Sequence, residues 1–236
     1  MNRYIGILPV FSLVLLGGCQ VEVGRSGPAQ HETRSIPKDN SERVRVEVKM
    51  GGGELRMNGG AQDLLQADFT YSVPSWKPDV RYSSFNGRGT LRIEQPETAN
   101  LNLGSNKYNW DLRLNETVPL DLSVRLGAGE ATLNLGRLTL HGLEVEMGAG
   151  EIKMDLRGNP QHDYDARIRG GVGEATIYLP SNVGISAKAT GGIGGIQTRG
   201  LRKDGDRWIN DAYDRSKVQI HLDVSGGVGS INLYAE

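Results

Sequence analysis

The stretch RLGAGEATLNL at residues 125–135 decides the fold, because variants of it return as EMGAGEIKMDL at 146–156 and RGGVGEATIYL at 169–179. Each copy carries a GxG tripeptide flanked by apolar residues that alternate at period two, which predicts strands. The apolar positions lie one, three and five residues before the first glycine, then four and six residues after it. Because this step is odd, the inward face changes phase, and each GxG is predicted to form a corner or bulge.

The spacing of these corners predicts the architecture. Their first glycines are separated by 21, 23, 21 and 35 residues, intervals typical of repeats that stack coil on coil. We therefore predict an all-β fold, a β-solenoid or β-helix-like stack of short strands with GxG corners. The first glycine of each pair, such as Gly148, is expected to hold the positive φ. The predicted structural corners are Gly127, Gly129, Gly148, Gly150, Gly171, Gly173, Gly192, Gly194, Gly227 and Gly229.

The 35-residue interval contains a polar insertion at residues 201–215, LRKDGDRWINDAYDR. We predict a loop over one side or the C-terminal end of the stack, where it would cover an otherwise open strand edge.

The N-terminus has the features of a lipoprotein signal peptide over residues 1–19. A short positive region precedes a 12-residue apolar run, which is too short to span a bilayer, and the lipobox-like LGGC ends at Cys19. Cys19 is the only cysteine and is the predicted lipidation site, the alternative being an ordinary cleaved signal. Gln20 follows where lipoproteins retained in the inner membrane often carry Asp, which favours the outer membrane of a Gram-negative host, facing the periplasm. Residues 20–40 are predicted to be a flexible tether, and 41–236 the β-repeat domain.

The GxG corners do not match either of two ligand-binding motifs that they resemble. A dinucleotide-binding loop needs a third glycine and a following helix, whereas a strand follows each corner here. The calcium-binding nonapeptide GGxGxDxUx needs an Asp at its sixth position, and the chain has Ala175, Ile196 and Ile231 there. We expect no cofactor and no metal. The net charge of −1 also argues against a nucleic-acid partner.

A column of glutamates follows the corners, at Glu54, Glu130, Glu151 and Glu174. It is either a site for a cation or polycation, or a set of turn carboxylates that cap amides or face water, and the second is favoured. Two residues before the corners, Arg125, Glu146 and Arg169 alternate in sign and are predicted to pair across coils. A cluster at residues 162–165, HDYD, is predicted to be a polar return loop in preference to a metal site.

One outward row changes character along the chain. Seven residues after the first glycine come Tyr178, Arg199 and Tyr234, which are predicted to stack in that order on an exposed face. Together with Trp208 and Tyr213 from the insertion, they form a candidate binding surface for an envelope protein or glycan. The alternative is a self-contained ladder, or one that the insertion covers.

Two segments carry a family resemblance. Residues 64–96 have an aromatic strand, a W-x-P segment and L-x-I-x-Q, and residues 110–156 have W-x-L-x-L followed by repeated GAG corners. This order resembles the bacterial toast-rack domain and the related adhesin-type β-repeat domains of cell-envelope proteins. The resemblance implies a stack of β-strands and provides no catalytic residues. We therefore expect a non-enzymatic, lipid-anchored envelope module that binds or scaffolds a protein or glycan, the alternative being a carbohydrate-active β-helix enzyme.

Overall fold

The computed structural model describes residues 27–96 and 107–236, so the predicted signal peptide and Cys19 lie outside the described residues. Within those ranges, fourteen strands form one mixed sheet, which confirms the all-β class. No helix in these ranges is long and apolar enough to cross a membrane. The strands are β1 (Gln30–Ile36), β2 (Arg43–Gly59), β3 (Leu65–Tyr71), β4 (Asp79–Phe85), β5 (Arg88–Glu94), β6 (Tyr108–Leu114), β7 (Leu120–Asn134), β8 (Leu140–Asp155), β9 (Tyr164–Leu179), β10 (Gly184–Ile193), β11 (Ile196–Arg199), β12 (Arg202–Asp204), β13 (Arg207–Ile209) and β14 (Gln219–Ala235).

Five long strands, β2, β7, β8, β9 and β14, run through a GxG tripeptide. We call the part before the tripeptide the first limb and the part after it the second limb; β10 and β11 are the corresponding limbs of a sixth, interrupted unit. In β7 the buried positions are even-numbered through Leu126 and odd-numbered from Ala131 onward. The predicted change of phase is therefore confirmed. Both limbs contribute to one apolar core, because the buried cluster contains the inward residues from each side of the corner.

The long strands pair side by side in parallel. Their pairing runs from β2 through β7 and β8 to β9, with one register shift between Leu120 and Asp121 where β7 pairs with β8. At the N-terminal end the sheet divides, since the first limb of β2 pairs with β5 and its second limb pairs with β6. On one branch β4 continues from β5; on the other, β3 and then β1 continue from β6.

The predicted tether at residues 20–40 is wrong over its described second half. Residues Gln30–Ile36 form β1, which pairs antiparallel with β3 over its whole length. The apolar pattern of the sequence did not predict β1, because β1 is an edge strand with few apolar side chains. Polar contacts hold it, such as the hydrogen bond from Thr33 Oγ1 to Asp68 Oδ1 at 3.0 Å. The folded region therefore begins before the predicted start at residue 41.

The last two repeat units are exchanged relative to the chain order. β14 lies between β9 and β10, although it comes last in sequence. The residue types supply a reason: β14 has Leu222, Val224 and Leu233 where its register partners in β10 and β11 are Ala187, Ala189 and Thr198. Placing the more apolar unit inside the stack buries more apolar surface.

The insertion covers the open edge of the first limbs, as predicted, but it does so with two paired strands and not as a loop. β13 pairs antiparallel with β10, and β12 pairs with β13. Asn210, which is buried, clamps this cap to the start of β10: its Oδ1 accepts from the Ile185 amide at 3.0 Å, and its Nδ2 donates to the Val183 carbonyl at 2.7 Å.

The corners require both glycines, but for different reasons than predicted. The positive φ belongs to the second glycine, as at Gly150 with φ of 129°, and the prediction for the first glycine is wrong. The first glycine is needed because adjacent corners approach closely: a Cβ on Gly148 would lie 2.4 Å from the carbonyl oxygen of Gly127. Parallel in-register stacking repeats this approach from strand to strand.

Candidate functional site

The predicted row of planar side chains is present on the outer face of the second limbs, in a different order. Because β14 lies beside β9, Tyr178 pairs with Tyr234, and Arg199 follows on the far side of Tyr234. The two tyrosine rings are 5.5 Å apart between centroids. The guanidinium of Arg199 lies 4.9 Å from the ring of Tyr234, and that of Arg157 lies 4.9 Å from the ring of Tyr178.

Carboxylates fix the two arginines at the ends of this row. Arg199 contacts Glu236 at 3.1 Å, and Arg157 contacts Asp155 at 2.7 Å. The hydrogen bond from Arg157 holds the pKa of the Asp155 carboxyl below its ordinary value. Each ring thus has cationic and aromatic neighbours within the row itself, which is the arrangement of a stabilising ladder.

We expect the double substitution Tyr178→Ala with Tyr234→Ala to lower the melting temperature by roughly 4–10 °C, because it removes the ring pair and both cation–π contacts. Gln197→Ala, an exposed neighbour on β11, serves as the matched control and should leave the melting temperature unchanged. Thermal unfolding followed by circular dichroism measures both. A double variant that melts within a degree or two of the wild type would instead mark the row as a free surface.

Trp208 and Tyr213 do not contact this row. Trp208 is in register with Ala187 on a first limb and packs against the core, with Lys203 5.7 Å above its ring. The Tyr213 hydroxyl accepts a hydrogen bond from Arg207 Nη1 at 3.2 Å. The five predicted residues therefore separate into a ladder on the second limbs and a cap on the first limbs.

The glutamate column is present in register. Glu54, Glu130, Glu151 and Glu174 occupy equivalent positions of four neighbouring strands. Asn232 Nδ2 donates to Glu174 at 2.7 Å, and Asn109 Nδ2 donates to Glu54 at 3.2 Å. Within residues 27–96 and 107–236, no three His, Cys, Asp or Glu side chains are grouped so that they could hold a metal ion.

The predicted charge pairing across strands and the predicted return loop at residues 162–165 can both be compared with the structure. The pairing of Arg125, Glu146 and Arg169 across strands is confirmed, with distances of 3.0 and 3.2 Å from Glu146 to the two arginines. The hydrogen bond from Arg125, joined by one from Arg169, holds the pKa of Glu146 below its ordinary value. His162 stacks on His141 at 3.8 Å between ring centroids, and its Nε2 lies 2.8 Å from the Leu140 carbonyl oxygen. The predicted return loop is correct only for His162 and Asp163, because β9 begins at Tyr164, whose side chain is buried.

A broad groove crosses the outer face of the first limbs and was not predicted. It has a volume of about 1090 Å³ and runs over strands β2, β7, β8, β9, β14 and β10. Small residues, Ser123, Gly142 and Ser186, lower its floor. Arg88 on β5 lies at one end, and the turn between β12 and β13 forms the other. We call this surface the first-limb groove.

Ion pairs organise much of the groove. Arg43 contacts Asp121 at 2.5 Å, and Lys188 contacts Asp206 at 3.2 Å. The hydrogen bond from Lys188 lowers the pKa of Asp206. Glu144 lies between two arginines, 3.9 Å from Arg125 and 3.8 Å from Arg169.

Three arginines in the groove remain free. Arg45, Arg88 and Arg167 are exposed, and their side chains make no ion pair or hydrogen bond among the described residues. Alternating polar positions in the sequence place such residues outward. Their grouping depends on strand pairing and on the position of the distant cap, neither of which a periodic pattern specifies.

Comparison with known proteins identifies a family and similar solved structures. Residues 25–178 match the model described as the N-terminal domain of toast_rack, DUF2154. A crystal structure of a candidate cell adhesion protein from Clostridium sporogenes ATCC 15579 is 32% identical with a TM-score of 0.85, over 88% of this chain and 100% of that one. A candidate adhesin from Bacteroides fragilis NCTC 9343 aligns over 87% of this chain and 96% of its own at 9% identity, and its TM-score of 0.33 supports no argument. None of the curated proteins compared with the chain matches it significantly.

Proposed function

This chain belongs to the toast_rack family, and we propose that it is a non-enzymatic, lipid-anchored module of the bacterial cell envelope that binds an envelope protein or glycan. The similarity to a candidate cell adhesion protein, over nearly the whole of both chains, supports a binding role. The sequence of the first 20 residues supports the lipid anchor and, through Gln20, a place on the outer membrane of a Gram-negative host, facing the periplasm. Parallel in-register pairing of the repeats supports a β-solenoid as the fold that presents the binding surface.

The observation that carries the binding role is the form of the first-limb groove. It is wide and crosses six strands, and its floor is polar. Such a surface can hold an extended ligand across many small contacts. A small-molecule pocket would instead be concave and mostly apolar.

The ion pairs of the groove favour binding over the alternative of a carbohydrate-active enzyme. A glycosidase needs one carboxyl that stays protonated near neutral pH to act as the general acid. In the groove, Asp121, Glu144 and Asp206 are each held in an ion pair, and the hydrogen bond from Lys188 lowers the pKa of Asp206, which is the opposite of what a general acid requires. Carboxylates fixed in this way suit hydrogen bonding to a ligand that is held and not cleaved.

Co-sedimentation with envelope material from the host tests this proposal. We expect the folded chain to be retained by isolated envelope glycan or envelope protein, and heat-unfolded chain to serve as the control. Reducing ends are assayed in the same samples and should not increase over several hours. Release of reducing ends would establish the enzyme alternative, and equal retention of folded and unfolded chain would contradict a specific binding role.

A further inference from the structure

The free arginines of the first-limb groove are not evenly distributed. Arg43 on β2 is in register with Arg88 on β5, and Arg45 lies two residues further along the same face of β2. Asp121 neutralises Arg43, whereas Arg45 and Arg88 have no acidic partner among the described residues. In addition, Nε of Arg43 is buried without a hydrogen-bond acceptor. This end of the groove therefore has guanidinium donors in excess of the acceptors around them.

Arg167 provides a third free guanidinium further along the groove. It lies on β9, which is separated from β2 by β7 and β8. Three strand spacings correspond to about 14 Å. An anionic ligand that contacted both ends of this interval would have to be extended and to lie across the strands.

The opposite end of the groove is rich in acceptors. Asp204 and Asp206 lie at the turn between β12 and β13, and Asp165 and Asp223 lie on β9 and β14. Asp206 is paired with Lys188, Asp165 contacts His221 at 3.2 Å, and Asp223 has no partner among the described residues. Carboxylates repel a uniformly charged polyanion but accept hydrogen bonds from hydroxyl groups.

Among the described residues that line the groove, none exposes a large apolar side chain to a ligand. The leucines that border it, Leu122, Leu143 and Leu222, are 2–4% exposed because their side chains belong to the core. Protein–protein interfaces obtain most of their binding energy from buried aromatic and other large anchors. The groove instead offers charged and hydroxyl-bearing side chains over a polar floor, which complements a ligand rich in hydroxyl groups.

We infer that the first-limb groove binds a strand of acidic glycan, with an acidic group of the glycan held by Arg45 and Arg88 and hydroxyl groups further along the glycan on the aspartates at the far end. This inference rests on the proposed binding function and names its ligand class. A glycan in which acidic and neutral sugars alternate fits the charge distribution of the groove. Its unpaired arginines are few, and carboxylates lie between them, so a ligand with an acidic group on every sugar would be repelled. Bidentate hydrogen bonding by arginine to a carboxylate gives the contact its specificity.

Calorimetric titration of the full chain in detergent tests the inference. The probe is a hyaluronan hexasaccharide, which alternates a carboxylate-bearing sugar with a neutral one, compared with neutral maltohexaose and with glucuronate alone. We expect the hexasaccharide to bind at least ten-fold more tightly than either comparison ligand. The variant Arg45→Gln with Arg88→Gln should lose at least ten-fold in affinity, because it removes both unpaired cations from one end of the groove.

The matched control is Arg56→Gln with Arg137→Gln, which removes two exposed arginines outside the groove and should bind as the wild type does. Unchanged melting temperatures would show that both variants are folded. Unaltered affinity in the Arg45 and Arg88 variant, absence of hexasaccharide binding by the wild type, or equal affinity for glucuronate alone would each overturn the inference. If the variant still sediments with host envelope material, the binding function survives with another ligand class; if the wild type does not sediment, the binding function itself fails.

Discussion

Replacing Gly150 by alanine should lower the free energy of unfolding by about 3–6 kcal/mol, or prevent the folded chain from accumulating at all. Two effects combine at this position. Its φ of 129° is one that residues with a Cβ rarely adopt, and the added Cβ would lie 1.9 Å from the carbonyl oxygen of Gly129. The neighbouring backbone cannot move aside, since Gly129 is itself packed against Gly53 in the next corner.

Gly195→Ala is the matched control for this experiment. Gly195 follows the corner glycine Gly194, has no positive φ, and would place its Cβ where no atom lies within 4 Å. Thermal unfolding should show a fall of roughly 6–20 °C for Gly150→Ala and almost none for Gly195→Ala. If Gly150→Ala melted within 2 °C of the wild type, the close-packed corner would not be what requires glycine there.

The sequence predicts this fold well where the apolar pattern is local. The period-two rows and the odd step across GxG arise from residues within one strand, such as Leu126 and Ala131, so they could be located without knowing any pairing. The contact of Glu146 with Arg125 and Arg169 could also be predicted, because the repeat spacing aligns these positions in neighbouring strands. Local alternation and a constant period are sufficient for both.

The predicted order of the last strands in the sheet was wrong. β10 and β14 have the same alternation, so the pattern did not reveal that β14 pairs with β9 and leaves β10 outermost. This exchange alone changed the order of Arg199 and Tyr234 in the outward row. β1 was missed for a different reason, since an edge strand held by polar contacts has no apolar row to detect.

The groove illustrates the same limit for function. Arg45 and Arg88 come from β2 and β5, which are joined only through the pairing of two distant segments. The far wall comes from the capping turn around Asp206, more than a hundred residues later in the chain. Charged residues at outward positions are ordinary in any strand, and their arrangement around a shared depression becomes visible only in three dimensions.

Replacing Cys19 by alanine should release the protein from the membrane. Cys19 lies outside the described residues, and the expectation rests on the apolar run and the LGGC sequence. Each buried methylene of an acyl chain contributes about 0.8 kcal/mol, so two or more chains hold a protein firmly, and their loss should reduce the membrane-bound fraction about ten-fold or more. Ser26→Ala, a nearby substitution that leaves the cysteine in place, is the matched control.

Detergent phase partitioning of the wild type and of Cys19→Ala tests most directly whether the protein acts as a lipid-anchored module of the envelope. We predict that the wild type and Ser26→Ala enter the detergent phase, whereas Cys19→Ala remains in the aqueous phase as a folded protein with an unchanged melting temperature. An unchanged distribution of Cys19→Ala between the two phases would contradict the lipid anchor and, with it, the proposed place of this protein in the cell.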